Sequence, residues 1–302
     1  MDISVIIPCY NKEAYVEECV KSIVTQAFPS FEVLLVDDGS TDNTGRLCDQ
    51  LAATDGRIRV FHRPNGGVTA ARRYGYEQSQ GRYVMFADCD DQLLPDSMHT
   101  LYATAEQTGA DEVIGTYRTQ NGYQSTARWT GWADIRELVI DLLMTRNSFC
   151  VLWAILFRRE LLEGCLNTPR EIISREDMLM QVNCLMKHPR VFFIDQQVYF
   201  YNEGLPNDRH TTPERIALYE RELQRVLQPE WDTYRPYFVL HRIKLYEMLV
   251  FLKFFHIGDA YRDLRKEDLS GVPFADRLVF LLPTRLAYVF IWLRKQVLSR
   301  IL

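Results

Sequence analysis

The chain has 302 residues, long enough for one large α/β domain with an appendage or for two domains of ordinary size. Apolar residues make up 47% and charged residues 25%, which excludes a disordered or collagen-like chain, and the formal net charge of −5 argues against a general binder of nucleic acid. The seven cysteines are odd in number and scattered without a Cys-x-x-Cys pair, so they suggest neither a disulfide framework nor a zinc site and fit a reducing cytosol. Met1 leads directly into an apolar strand pattern, without the basic and long apolar regions of a signal peptide, so a cytoplasmic protein is expected.

In chain order, residues 3–8 (ISVIIP) read as a buried strand. Residues 13–26 read as a helix with Val16, Cys19, Val20, Ile23 and Val24 on one face. A second strand at 31–37 leads to Ser40, Thr41 and Asp42, which suit the cap of a helix running to about residue 53. A short strand at 58–61, a helix at 68–80 opened by Gly66-Gly67, a strand at 83–87, a helix opened by Pro95 and a strand at 111–117 follow. This alternation predicts an α/β fold with a mostly parallel sheet and helices on both faces.

The alternation lapses after about residue 120. Residues 134–146 and 151–165 read as helices, another helix starts near Ser174, and VFFIDQQVYFY at 191–201 reads as a strand. The polar segment 202–212 reads as a mobile loop. From 213 onward the pattern is helical, and the tail at 273–302 sets five basic residues against one acid among Leu, Val, Phe, Tyr288 and Trp292. Pro283 and Arg285 interrupt its apolar run, which excludes a spanning helix. A basic amphipathic helix lying on an anionic membrane surface is the functional reading, and packing on the protein or on a second copy in a homo-oligomer is the alternative.

Two acidic clusters carry the chemistry. Asp37-Asp38 follows the apolar run FEVLLV, and Asp88-Cys89-Asp90-Asp91 follows YVMFA, so each is presented where a buried strand emerges at its carboxyl end. Open α/β sheets bind ligands along that edge. An Asp-x-Asp spacing places two carboxylates on one side of an extended or turning backbone. Such a pair suits a hard divalent cation, Mg²⁺ or Mn²⁺, that also holds phosphate oxygens, which points to a nucleotide-diphosphate substrate.

In order and spacing, ISVIIPCYN at 3–11, VDDGSTD at 36–42, NGGVTAAR at 65–72 and ADCDDQLLPD at 87–96 resemble the family 2 glycosyltransferases, which carry the nucleotide-binding fold called GT-A. SREDMLM at 174–180 is similar to that family's Glu-Asp motif, and WAILFRRELL at 153–162 to the segment ahead of it. The resemblance reaches about residue 202. It implies a GT-A domain at 1–205, with a nucleotide-binding half at 1–117 and an acceptor-binding half at 118–205, followed by a helical region at 206–302.

Carried over residue by residue, the resemblance implies that Pro8 and Tyr10 pack around the base and that Asp38 accepts from a uracil N–H. Asp37 stands beside it, with helix capping as its alternative. Arg72 matches the arginine of the family's Ala-Arg-Asn and would contact base or diphosphate. Arg73 replaces the asparagine, which leaves open which arginine points inward. Asp90 would ligate the metal directly and Asp88 would contact the ribose or a metal-bound water, with Cys89 a small filler in the same donor-binding motif and Asp91 a weaker candidate on the acceptor side.

Asp177, with Glu176 beside it, would be the general base that removes a proton from the acceptor hydroxyl during direct, inverting displacement. Trp153 would stack on a sugar near the acceptor or belong to the core, and His210 would reach the diphosphate from a closing loop. The expected partners are a nucleotide-sugar donor, a UDP-sugar, and a saccharide or polyprenyl-linked acceptor in the synthesis of surface polysaccharide or glycoconjugate, at the inner face of the cell membrane. The rival readings are a sugar-nucleotide-binding scaffold of the same fold and a sugar nucleotidyltransferase. The latter lacks support because PCYNKEAYV at 8–16 has no phosphate-cradling glycines.

Overall fold

The computed structural model describes residues 1–125, 128–145, 149–203 and 211–298. The chain divides into two compact units, one drawn from Met1–Leu142 and Arg146–Arg209, the other from Leu143–Thr145 and His210–Leu302. The expected boundary at 205/206 and the loop around His210 lie outside the described residues.

The first unit runs β1 (Ile3–Cys9), α1 (Val16–Val24), β2 (Phe31–Asp37), α2 (Thr44–Thr54), β3 (Ile58–His62), α3 (Val68–Gln78), β4 (Tyr83–Phe86), β5 (Gln92–Leu93) and α4 (Ser97–Thr108). It continues through β6 (Glu112–Thr119), β7 (Gly131–Trp132), α5 (Ile135–Leu143), β8 (Ile155–Arg158), α6 (Glu176–Leu185) and β9 (Val191–Tyr201). The strands form one sheet in the order β3-β2-β1-β4-β8-β6-β9-β5, with β7 also pairing with β9.

Strands β3, β2, β1 and β4 are mutually parallel, as the sequence predicts. Helices cover both faces there. Ile3, Val5 and Ile7 share a core with Val16, Val20 and Ile23 of α1 and Met98 and Leu101 of α4, and each such burial contributes about 2 kcal/mol. On the opposite face α3 presses on the sheet so closely that a Cβ on Gly75 would stand 2.4 Å from the Ile6 Cγ2.

Beyond β4 the sheet is mixed. β8 is antiparallel to both of its neighbours, β4 and β6, while β6 and β9 are parallel. This corrects the expected helix at 151–165: Ile155–Arg158 is a strand, followed by a single 3-10 turn at Arg159–Leu162. A short run of bulky apolar residues has the same appearance in a buried strand and a buried helix, and here cross-strand pairing on both edges decides. β6 also runs through the expected division at 117/118.

The second unit is helical, with α7 (Pro213–Leu227), α8 (Trp231–Phe251), α9 (Phe274–Leu281) and α10 (Thr284–Leu298). Thr212 caps α7 through its side chain and Pro213 occupies the first turn, where its missing N–H costs nothing. Pro283 separates α9 from α10 and its carbonyl accepts from the amides of Leu286 and Ala287. Two ion-pair groups tie the helices: Arg242 to Glu220 and Asp263, and Lys244 with Arg294 to Glu247 and Asp276. Among the described residues no helix is long and apolar enough to cross a membrane.

Candidate active site

The carboxyl ends of β2, β1 and β4 lie side by side, and the chain order reverses between β1 and β4, the switch point at which open sheets leave a crevice. Asp37-Asp38, Tyr10–Lys12 and Asp88–Asp91 are therefore brought to one edge of the sheet.

The segment after β4 sorts its side chains by a turn in which the Asp91 amide donates to the Asp88 carbonyl at 3.0 Å. Asp88 and Asp90 keep side-chain exposures of 25% and 20%, whereas Cys89 and Asp91 are buried in the protein. Cys89 is thus a core residue without access to a ligand. Asp91, the weaker candidate on the acceptor side, is turned into the protein instead. Its Oδ2 accepts from the Tyr199 hydroxyl at 2.9 Å and its Oδ1 from the Asn202 amide at 2.8 Å, while the Asp88 amide donates to the same Tyr199 oxygen at 3.0 Å. Burial, with the charge of Asp88 added, pushes the Asp91 carboxyl up to about 8 although the Asn202 amide opposes it. Asp91 fastens the acidic turn to β9.

Arg72 and Arg73 separate clearly. Arg73 is exposed and reaches Asn167 and Glu77, while Arg72 is 1% exposed and points inward. Its guanidinium donates through Nη1 to the Asp177 Oδ1 at 2.5 Å and through Nη2 to the Asp88 Oδ1 at 2.9 Å. One planar fork therefore joins the acid after β4 to the acid that opens α6. Burial opposes the charge, but Asp177, Asp88 and Glu176 outweigh it and hold the guanidinium above its ordinary range. Glu176 and Asp177 occupy the first turn of α6, Glu176 buried and Asp177 with 13% side-chain exposure. Free amides and the helix dipole favour negative charge at that end.

Lys12, which the sequence reading passed over, places its Nζ 2.5 Å from the Asp90 Oδ2. Burial works against the ammonium, but Asp90 outweighs it and raises its titration. The available signal was position: a cation in the loop directly after β1.

At the other end of the edge the carboxylates are occupied by the protein. Asp37 accepts from the Ser40 amide at 3.0 Å and bonds the His62 Nδ1 at 2.8 Å. Burial alone would raise its titration, but Ser40 and His62 outweigh it and hold the carboxyl below the usual range. Asp37 serves the loop between β2 and α2 and does not cap α2, whose N-cap position is Asn43. Asp38 is buried and accepts from the amides of Gly66 at 2.9 Å and Gly67 at 2.7 Å. Gly67 adopts φ 88°, where a side chain would be strained. Desolvation raises the Asp38 carboxyl and the two amides relieve it. Pro8 is half-buried and Tyr10 exposed on the same edge.

Trp153 belongs to the core of the sheet. It is 5% exposed, its ring lying 4.7 Å from Tyr199 and 5.2 Å from Tyr201 at 11° and 13°, with Tyr117 edge-on at 4.7 Å. An aromatic already stacked in this way lacks an open face for a sugar on that side.

Asp88 and Asp90 fit a hard divalent cation: both are oxygen donors, both are partly accessible, and with Asp177 and Glu176 the acids exceed Lys12 and Arg72. Among the described residues no three His, Cys, Asp or Glu side chains converge as a closed cage. The remaining ligands of such a cation would come from phosphate oxygens and water, the habit of Mg²⁺.

The glycosyl transferase family 2 model matches residues 4–166. The chain is similar to the uncharacterized glycosyltransferase EpsJ of Bacillus subtilis, 32% identical over 244 residues that cover 78% of this chain and 70% of that protein. Its fold is similar to that of a crystal structure of S. aureus TarS 1–349 in complex with UDP-GlcNAc, with a TM-score of 0.64, 23% identity and coverage of 75% of this chain and 66% of that one. A crystal structure of S. aureus TarS matches 99% of this chain and 54% of its own length, with a TM-score of 0.69 and 20% identity.

Proposed function

This chain belongs to glycosyl transferase family 2, and on that premise we propose that it moves a sugar from a uridine-diphosphate donor to a hydroxyl of a saccharide or polyprenyl-linked saccharide, inverting the anomeric carbon. The observation that carries the reading is the double ion pair of Arg72. It sets Asp88, at the donor edge of the sheet, and Asp177, at the opening of α6, on the two arms of one guanidinium.

The roles follow from what each group can do. Arg72 fixes the Asp177 Oδ1, and Oδ2 is the oxygen left to take the proton of the acceptor hydroxyl as that oxygen attacks. The bond from the anomeric carbon to the diphosphate oxygen breaks as the new bond forms on the opposite face, so an α-linked donor yields a β-linked product. Asp88 and Asp90 would hold Mn²⁺ or Mg²⁺, which when bound supplies neutralisation of the charge gathering on the diphosphate. Lys12, beside Asp90, adds positive charge on the same side. The TarS fragment that shares this fold was crystallised with UDP-GlcNAc, which supports a UDP-sugar as donor.

Calorimetry of UDP with and without Mn²⁺ tests the donor side. The wild-type chain should bind UDP more tightly with the metal, and Asp90→Ala should lose that gain, by about tenfold or more given the loss of a direct charged ligand. Equal, metal-independent binding by both proteins would remove the assignment of Asp90.

A further inference from the structure

The helical unit carries a feature unrelated to sugar transfer. α9 and α10 leave large apolar side chains in solvent: Phe274 and Leu281 on the first, Leu286, Val289, Trp292 and Leu293 on the second, each between 45% and 72% exposed. On α10 these follow one another at three- and four-residue spacing, so they form one stripe. The opposite side of the same helix buries Ala287 and Ile291. α10 is therefore apolar on two sides, and only one is used by the protein.

The charges are sorted as sharply. Asp276 is the only acid between Phe274 and Leu298, and it is 4% exposed and ion-paired to Arg294 and Lys244. What remains in solvent beside the stripe is positive: Arg285 is exposed and Arg277 half-exposed, while Lys295, also exposed, sets its ammonium over the Phe251 ring of α8 at 3.6 Å. An apolar stripe containing a tryptophan, bordered by cations and free of exposed acid, on helices too short to span a bilayer, has the composition of a helix pair lying in a lipid headgroup region.

We propose that the exposed face of α9 and α10, centred on Leu286, Val289 and Trp292 and bordered by Arg277 and Arg285, docks on a membrane surface containing anionic lipid. The side chains enter the headgroup boundary and the cations meet lipid phosphates, so attachment takes both apolar burial and charge. A second copy of the chain would have to present acid to this border, and α9 and α10 expose none, which disfavours a face-to-face pair built from the same patch.

The test is flotation of the full chain with vesicles of phosphatidylcholine alone and of phosphatidylcholine mixed with phosphatidylglycerol, beside light scattering without lipid. The wild type should bind the mixed vesicles and bind the neutral ones far less. Leu286→Ser with Trp292→Ser should abolish binding, and Arg277→Gln with Arg285→Gln should weaken it about twenty-five-fold on mixed vesicles, at about fivefold per cation. Both double variants change side chains that face solvent, so their thermal unfolding should match the wild type. Failure of the wild type to bind mixed vesicles would overturn the proposal, as would a wild-type dimer that the serine variant converts to monomer.

Discussion

Two groups of buried charge in this molecule look alike in a list of contacts and differ in their balance. In the helical unit Lys244 and Arg294 meet Glu247 and Asp276, two cations on two acids, and the group is complete. At the sheet edge Lys12 and Arg72 stand among Asp88, Asp90, Asp91, Glu176 and Asp177, so acid exceeds base even with Asp91 held protonated near neutrality. A balanced group holds helices together. On the function proposed above, the unbalanced and partly open group would take positive charge from outside, as a divalent cation would supply.

The largest effect that would sharpen this contrast is expected from Asp177→Asn. The change keeps the shape beside Arg72 and removes proton uptake, so transfer measured by release of UDP from a donor sugar with acceptor present should fall about a thousandfold, with UDP affinity unchanged. A variant that kept near wild-type turnover would make Asp177 a structural partner of Arg72.

In the balanced group the opposite pattern is expected. Arg294→Met leaves Glu247 and Asp276, both buried, with Lys244 alone, and should cost about 2 kcal/mol of stability in denaturant melts while leaving the UDP affinity of the folded protein intact. Loss of UDP binding by folded Arg294→Met would break the division of labour between the two groups.

A third contrast concerns Glu112, a buried acid in β6 that belongs to neither group. Desolvation pushes its carboxyl up to about 8 from 4.5, although the Gln181 amide donates to it. Between these values the folded chain holds a proton that the unfolded chain has released, so this residue's contribution is complete below about pH 4.5 and is lost as pH rises through about 8. Glu112→Gln should therefore melt progressively higher relative to wild type from pH 5 to pH 8. A difference in melting temperature that stays constant with pH would show that Glu112 titrates normally.

Much of this was legible in the amino-acid order, and the pattern of failure is physical. β1, β2, β3 and β4 were readable because each is a β-branched or aromatic run closed by turn residues, and the acidic motifs sit directly after two of them. β8 was missed because three apolar residues and an arginine carry no periodicity of their own and their state is decided by partners far away in sequence. Within the site, adjacency hid depth. Arg72 and Arg73, or Asp90 and Asp91, are neighbours in the chain, and the helix and the turn send one of each pair inward. Lys12 became visible only when the loop after β1 met the turn after β4.

The placement of β8 has a consequence for how the chain comes to be folded. β4 pairs with β1 on one side and with β8 on the other, and β8 lies more than seventy residues later. While the chain is being synthesised, β4 therefore waits with an unpaired apolar edge until residues 155–158 have emerged, and β6 waits for both β8 and β9. Such edges invite pairing with other chains and slow, long-range closure. A truncation ending near residue 117 is expected to aggregate in light scattering, since its sheet would end in the open edge of β4.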